Sequence, residues 1–131
     1  MKIYSTVFIG GALGACLRYG LNMWMHTGPF PAATWLENAA GSLLLGILTG
    51  FFMVRAKQPL LLAFLGTGFC GGFTTMSTFS KETVMLLQTQ SSLAVLYMAV
   101  SLISGIVLAL IGVLAGRRIA GIQQRKGLQE R

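Results

Sequence analysis

Apolar residues run along this chain in four long blocks with little charge inside them, separated by short polar stretches. The blocks are Ile3 to Met25, Thr34 to Val54, Leu60 to Leu87 and Ser92 to Ala115. Each reaches or exceeds the roughly 20 residues that an α-helix needs to cross a hydrocarbon core. The connections, His26 to Ala33, Arg55 to Pro59 and Gln88 to Ser91, are short enough to join antiparallel helix neighbours. The pattern predicts an all-α membrane protein: one four-span transmembrane domain over 1–131, ending in a basic tail over 116–131.

Composition agrees with that class. The chain is 54% hydrophobic and only 10% charged, with a mean hydropathy of +0.72, too apolar for a soluble domain of this size. The first block is longer than a signal h-region, ends on Trp24 rather than on a small-residue cleavage site, and is read as a retained span. Cys16 and Cys70 fall inside spans one and three and are expected to be buried thiols.

Charge placement adds a topology. With four spans both termini share one side, and that side collects Lys2, Arg55, Lys57, Arg117, Arg118, Arg125, Lys126 and Arg131, while the connections on the other side hold no Lys or Arg. The positive-inside rule then puts both termini in the cytoplasm. Much of the +7 net charge is therefore a topology signal, and the tail RRIAGIQQRKGLQER reads as a juxtamembrane basic segment rather than a nucleic-acid site. Trp24 and Trp35 suit an interfacial belt, with His26 in the wet loop between them.

Small residues recur at four-residue spacing: Gly10 and Gly14, Gly46 and Gly50, Gly68 and Gly72, Ser101, Gly105 and Ala109, Gly112 and Gly116. That spacing lets helix backbones approach closely, which is how a lipid-immersed bundle gains packing energy. Polar residues inside spans are costly and mark function or pairing. Arg18, Glu37, Asn38, Lys81 and Glu82 all fall at similar depth in the outer half, which predicts a paired polar cluster there. Asn38 stands apart, because its neutral amide has N–H groups that can donate to an anion.

The block GFCGGFTTMSTF, residues 68–79, is poor lipid-facing helix. Gly71 and Gly72 ahead of Phe73, Thr74 and Thr75 predict a helix broken in mid-membrane, and freed carbonyls there make a site for a small cation. Beyond the break Met76 and Phe79 share a helix face, with Thr75, Ser77, Thr78 and Ser80 supplying hydroxyls. The positive edge of Phe79 can favour an anion without a fixed charge.

The run GFCGGFTTMSTFSKE resembles the signature of the Fluc (CrcB) family of bacterial fluoride channels, whose usual form is close to G-x-x-G-G-x-T-T-F-S-T-F-S-x-E. GGALGACLRY and TWLENAAGSLLLG resemble that family's first-span and second-span elements. The resemblance implies an antiparallel, inverted dimer with fluoride pores along the subunit interface. It also implies a structural sodium ion (Na+) on the two-fold axis, held by the carbonyls of Gly71 and Thr74. The fluoride pathway falls on Asn38, Met76, Phe79, Thr75, Thr78 or Ser80, with Ser101 or Ser104 of span four, and the vestibule arginine on Arg18. The implied setting is the bacterial plasma membrane, and the implied role is passive export of cytoplasmic fluoride. No enzyme chemistry is implied, and the sequence shows no nucleophile, base and orienter set.

The chain departs from the family pattern at Met76, which replaces an aromatic, at Glu37, where an apolar residue is usual, and at Lys81, where a small one is. The one-sided Lys and Arg distribution fits a chain that inserts one way only and pairs with an oppositely oriented homologue; a homodimer is the alternative. A non-conducting partner subunit is the second reading. A small multidrug transporter is the third, disfavoured because span one holds no carboxylate.

Overall fold

A computed structural model describes residues 1–25, 28–55 and 58–129, of which 125–129 by backbone alone. His26, Lys57, Arg131 and the side chains of Arg125 and Lys126, on which part of the loop and topology reading rests, lie outside the described residues. All regular structure among those described is helical. Helix α1 spans Lys2–Trp24 and α2 spans Ala32–Val54. A third, interrupted rod follows: α3 (Pro59–Leu62), a π-helical segment (Ala63–Cys70), α4 (Gly71–Phe73) and α5 (Met76–Thr89). Helix α6 runs Ser91–Gln129 without interruption, so the basic tail continues the last helix.

Three stretches are long and apolar enough to cross a membrane: Ala32–Val54, Pro59–Thr89 and Ser91–Gln124. Helix α1 is equally long, but Ser5, Thr6, Arg18 and Asn22 keep it outside that apolar class.

Close backbone approach holds the helices together. On α2, a Cβ at Gly46 or Gly50 would run into the carbonyls of Ala109 or Val113 on α6. Gly112 and Gly116 of α6 make the reciprocal approach to Leu43 and Ile47. Helix α1 meets the third rod in the same way, Gly10 and Gly14 lying on the π-helical segment and Gly72 on Gly11. Backbone atoms cannot move aside as a flexible side chain does, so each contact requires a residue without a Cβ.

The third rod breaks where a break was expected, but for a different reason. Gly71 is helical (φ −64, ψ −36), and Gly72 is used for packing. The extended residues are Thr74 (φ −78, ψ 154) and Thr75 (φ −146, ψ 120). Both are β-branched, a class that favours extended backbone. Thr74 closes the upstream end, its N–H and hydroxyl both donating to the Cys70 carbonyl at 2.9 and 2.8 Å. Thr75 opens α5 as an N-cap, its Oγ1 accepting from the Thr78 N–H at 3.2 Å.

Two apolar clusters fill the interior. Leu48, Phe52 and Cys70 form one, and Leu86, Ala94 and Tyr97 form the other with Phe30, Trp35 and Phe79 against them. Cys70 is buried as expected, whereas Cys16 is exposed on the outer face of α1. Trp24 stands 83% exposed. Trp35 turns inward and donates its indole N–H to Ser104 Oγ at 3.0 Å, because an apolar cluster with an acceptor satisfies it better than an interface.

The glycine contacts predict opposite effects for one substitution. Gly112→Ala, whose Cβ meets the Leu43 carbonyl, should lose about 1–3 kcal/mol of stability. Gly20→Ala, with open space around its Cβ, should gain roughly 0.5–1 kcal/mol from the entropy of the replaced glycine. Thermal unfolding in detergent reads both.

Candidate functional site

The break opens onto a groove of about 510 Å³, walled by α2, the third rod and α6. Of the expected site residues, Asn38, Gly71, Thr74, Thr75, Met76, Phe79 and Ser101 line it. No charged side chain does. The wall consists of neutral hydrogen-bonding groups, carbonyls and apolar surface.

Each polar group freed by the break can be followed to its partner. The Asn38 amide grips both sides of Thr75: Oδ1 accepts the Thr75 N–H at 2.8 Å, and Nδ2 donates to the Thr75 carbonyl at 3.0 Å. One Nδ2 hydrogen is left over. Arg18 Nε donates to the Gly72 carbonyl at 3.1 Å, so this arginine caps the broken rod. Among the described residues, no side chain and no backbone N–H from another element donates to the carbonyls of Gly71 and Thr74.

The hydroxyls divide sharply. Thr75 Oγ1 donates to Thr78 Oγ1 at 3.1 Å, and Ser80 Oγ donates to the Met76 carbonyl at 2.9 Å. Ser104 accepts from Trp35 and donates to the Val100 carbonyl at 2.6 Å. Ser101 Oγ alone of this set is buried without a partner among the described residues. Of the two serines expected from span four, Ser101 lines the groove and Ser104 does not. Phe79 packs on Tyr97 with ring centroids 5.1 Å apart at 44°, which fixes its ring beside the groove.

The outer polar cluster forms, though with other members than expected. Glu37 is fully buried (0% exposed), its Oε1 accepting from Asn22 Nδ2. Its Oε2 has no partner among the described residues. Glu82 accepts from Thr34 Oγ1 at 3.0 Å and from the Tyr97 hydroxyl at 2.8 Å. Lys81 takes no part: it lies exposed on the opposite face of α5 and makes no ion pair with any described residue. Lys81 is exposed whereas Glu37 is buried, so the expected pairing is absent.

A family model described as "CrcB-like protein, Camphor Resistance (CrcB)" matches residues 5–113. The chain belongs to the CrcB family. It is 86% identical over 131 residues, all of both chains, to the "Fluoride-specific ion channel FluC 2" of Bacillus subtilis (strain 168). A protein of the same printed name from Bacillus licheniformis is 55% identical over 121 residues, 92% of each chain. The "Fluoride-specific ion channel FluC" of Methylobacterium sp. (strain 4-46) is 50% identical over 105 residues, 77% of this chain and 85% of its own. With its long apolar helices, this CrcB protein is a multi-pass membrane protein.

Asn22, Thr34 and Tyr97 of this CrcB chain were not singled out from sequence as site residues. Signals existed for each. Asn22 lies one turn beyond Arg18, Thr34 lies one turn before Glu37, and a tyrosine hydroxyl inside an apolar run needs a partner. The π-helical segment carried no such signal, since its apolar spacing does not differ from that of an α-helix.

Removing the Asn38 clamp leaves the buried Thr75 N–H without its acceptor. Asn38→Ala should therefore cost about 1–3 kcal/mol of stability and accelerate amide exchange at Thr75. Exchange followed by mass spectrometry or NMR in detergent checks this; unchanged protection would mean that the break holds itself.

Proposed function

We propose that this chain is a subunit of a fluoride channel that exports cytoplasmic fluoride passively. The carrying observation is the groove itself: Asn38, Thr75, Phe79 and Ser101 line it, with no fixed charge among them. A small, strongly hydrated anion needs donors that replace its water, yet it must bind weakly enough to leave. The spare Asn38 hydrogen and the Phe79 ring edge suit that requirement, and Ser101 lines the same groove. The printed names of the relatives support the same ion. An interior-negative membrane drives one fluoride outward by about 2.3 kcal/mol per 100 mV, so export needs no coupled energy source.

A second, antiparallel subunit is read as the missing wall of the groove. Gly71 and Thr74 line the groove, and their carbonyls suit Na+, a hard cation that prefers oxygen ligands. When bound, Na+ would supply positive charge that ties the two broken rods together. Lys2, Arg55, Arg117 and Arg118 gather on one side, which favours insertion with both termini in the cytoplasm. A partner inserting the other way is then an oppositely biased homologue rather than a second copy.

A second reading is favoured by one residue. Met76 stands 71% exposed in the groove where the family pattern has an aromatic, which suits a subunit that completes its partner's pore while its own wall conducts poorly.

A bacterium stripped of its own fluoride exporters tests the proposal. Expressed alone, this chain should restore little fluoride resistance; with a CrcB relative of opposite charge bias it should restore growth. Resistance from the chain alone would overturn the need for a different partner. No resistance in any pairing would overturn the fluoride reading.

A further inference from the structure

Helices α2 and α6 leave the hydrocarbon side by side, and arginines stand on both at that point. Gly116 of α6 packs on the backbone of Ile47 and Phe51, so the two helices still touch one turn before α2 ends at Val54. At 1.5 Å per residue, about 33 Å of helix separates Ala32 from Val54 and about 39 Å separates Ser91 from Arg117, against roughly 30 Å of hydrocarbon core. Arg55 and Arg117 therefore stand at headgroup level. Arg117 and Arg118 follow Leu114 by three and four positions and continue the exposed stripe of Ile111 and Leu114, so they face outward. Ile119 and Ile122 beyond them are exposed as well, and apolar surface at that level gains from resting against acyl chains.

Neutral partners hold two of the three guanidinium groups. Arg55 Nη1 donates to Gln123 Oε1 at 3.1 Å, and its guanidinium carbon lies 5.8 Å from the centroid of the Phe51 ring. Arg117 Nη2 donates to Met53 Sδ at 3.3 Å, a weak acceptor. No ion pair forms among the described residues. The acidic residues they include are Glu37 and Glu82. Glu37 is about 26 Å of helix away from Val54, and Glu82 lies at the Glu37 end of α2, where it accepts from Thr34. Each arginine has five N–H donors, so most of each fork stays available.

We propose that Arg55, Arg117 and Arg118 form a binding site for the headgroup of an anionic phospholipid, seated where α2 and α6 emerge together. The site goes beyond the fluoride reading and does not depend on it. Position names the occupant: side chains that continue a lipid-facing stripe at headgroup level meet phosphodiesters before any soluble partner. The planar guanidinium matches two phosphate oxygens at once. Gln123, Met53 and Phe51 orient two of the forks without cancelling their charge, so the excess of positive charge favours a net-negative headgroup over a zwitterionic one. Bound there, the headgroup bridges the ends of two helices that Gly116 already holds together.

Native mass spectrometry of the full chain, titrated in detergent with phosphatidylglycerol or phosphatidylcholine, tests this. The wild type should bind phosphatidylglycerol about tenfold or more tightly than phosphatidylcholine. Combined Arg55→Gln, Arg117→Gln and Arg118→Gln should abolish that preference. Combined Lys2→Gln, Arg125→Gln and Lys126→Gln removes the same charge from elsewhere in the chain and should keep it, and circular dichroism checks that both variants remain helical. Equal binding of the two lipids by the wild type overturns the proposal. So does an equal loss in both variants, which would mean that net charge alone attracts the lipid. Displacement of the lipid by millimolar inorganic phosphate would make the site one for free anions and overturn the lipid assignment.

Discussion

Two hydrogen bonds between the side chain of Asn38 and the backbone of Thr75 support everything else at the centre of this molecule. Inside a bilayer a backbone N–H or carbonyl has no water to turn to, so an interrupted helix persists only where other groups satisfy what the interruption frees. Asn38 satisfies both sides of Thr75, Arg18 takes the Gly72 carbonyl, and Thr74 folds back on Cys70. The carbonyls of Gly71 and Thr74 are left over, and both residues line the groove. A clamp that satisfied every group would give a rigid kink and nothing more. The selective one gives a kink with two carbonyls left without a donor.

That clamp works only because the helices bearing its parts come very close. Asn38 is on α2, Arg18 on α1 and Thr75 between them in the third rod. The glycine contacts that press α1 onto the third rod and α2 onto α6 set these distances. Packing and function are thus not separate layers here. The small residues position the polar ones, and the polar ones hold the break that the groove needs.

Helical content, the small-residue spacing and a break inside GFCGGFTT were all legible in the sequence, because each is a property of local composition. So were the polar groove residues Asn38, Thr74, Thr75 and Ser101, since polar groups in an apolar run are conspicuous. What the sequence did not disclose is direction. Residue counting puts Glu37 and Lys81 at one depth, but one is buried and the other exposed; depth follows from counting residues, whereas facing depends on which helices become neighbours. The glycines misled in a related way. Two adjacent glycines weaken a free helix, yet close packing against Gly11 keeps Gly72 in place, and the β-branched threonines carry the break. Trp35 and Cys16 show the same limit, one turning inward and the other outward against expectation.

The most direct test of the central claim is the chemical shift of the Asn38 side-chain amide and of Ser101 in the bilayer-embedded assembly as fluoride is added, with chloride as the control. If the broken rod presents neutral donors to fluoride, both signals move and saturate with fluoride and stay still with chloride. Signals that ignore fluoride, or that follow chloride equally, would contradict it.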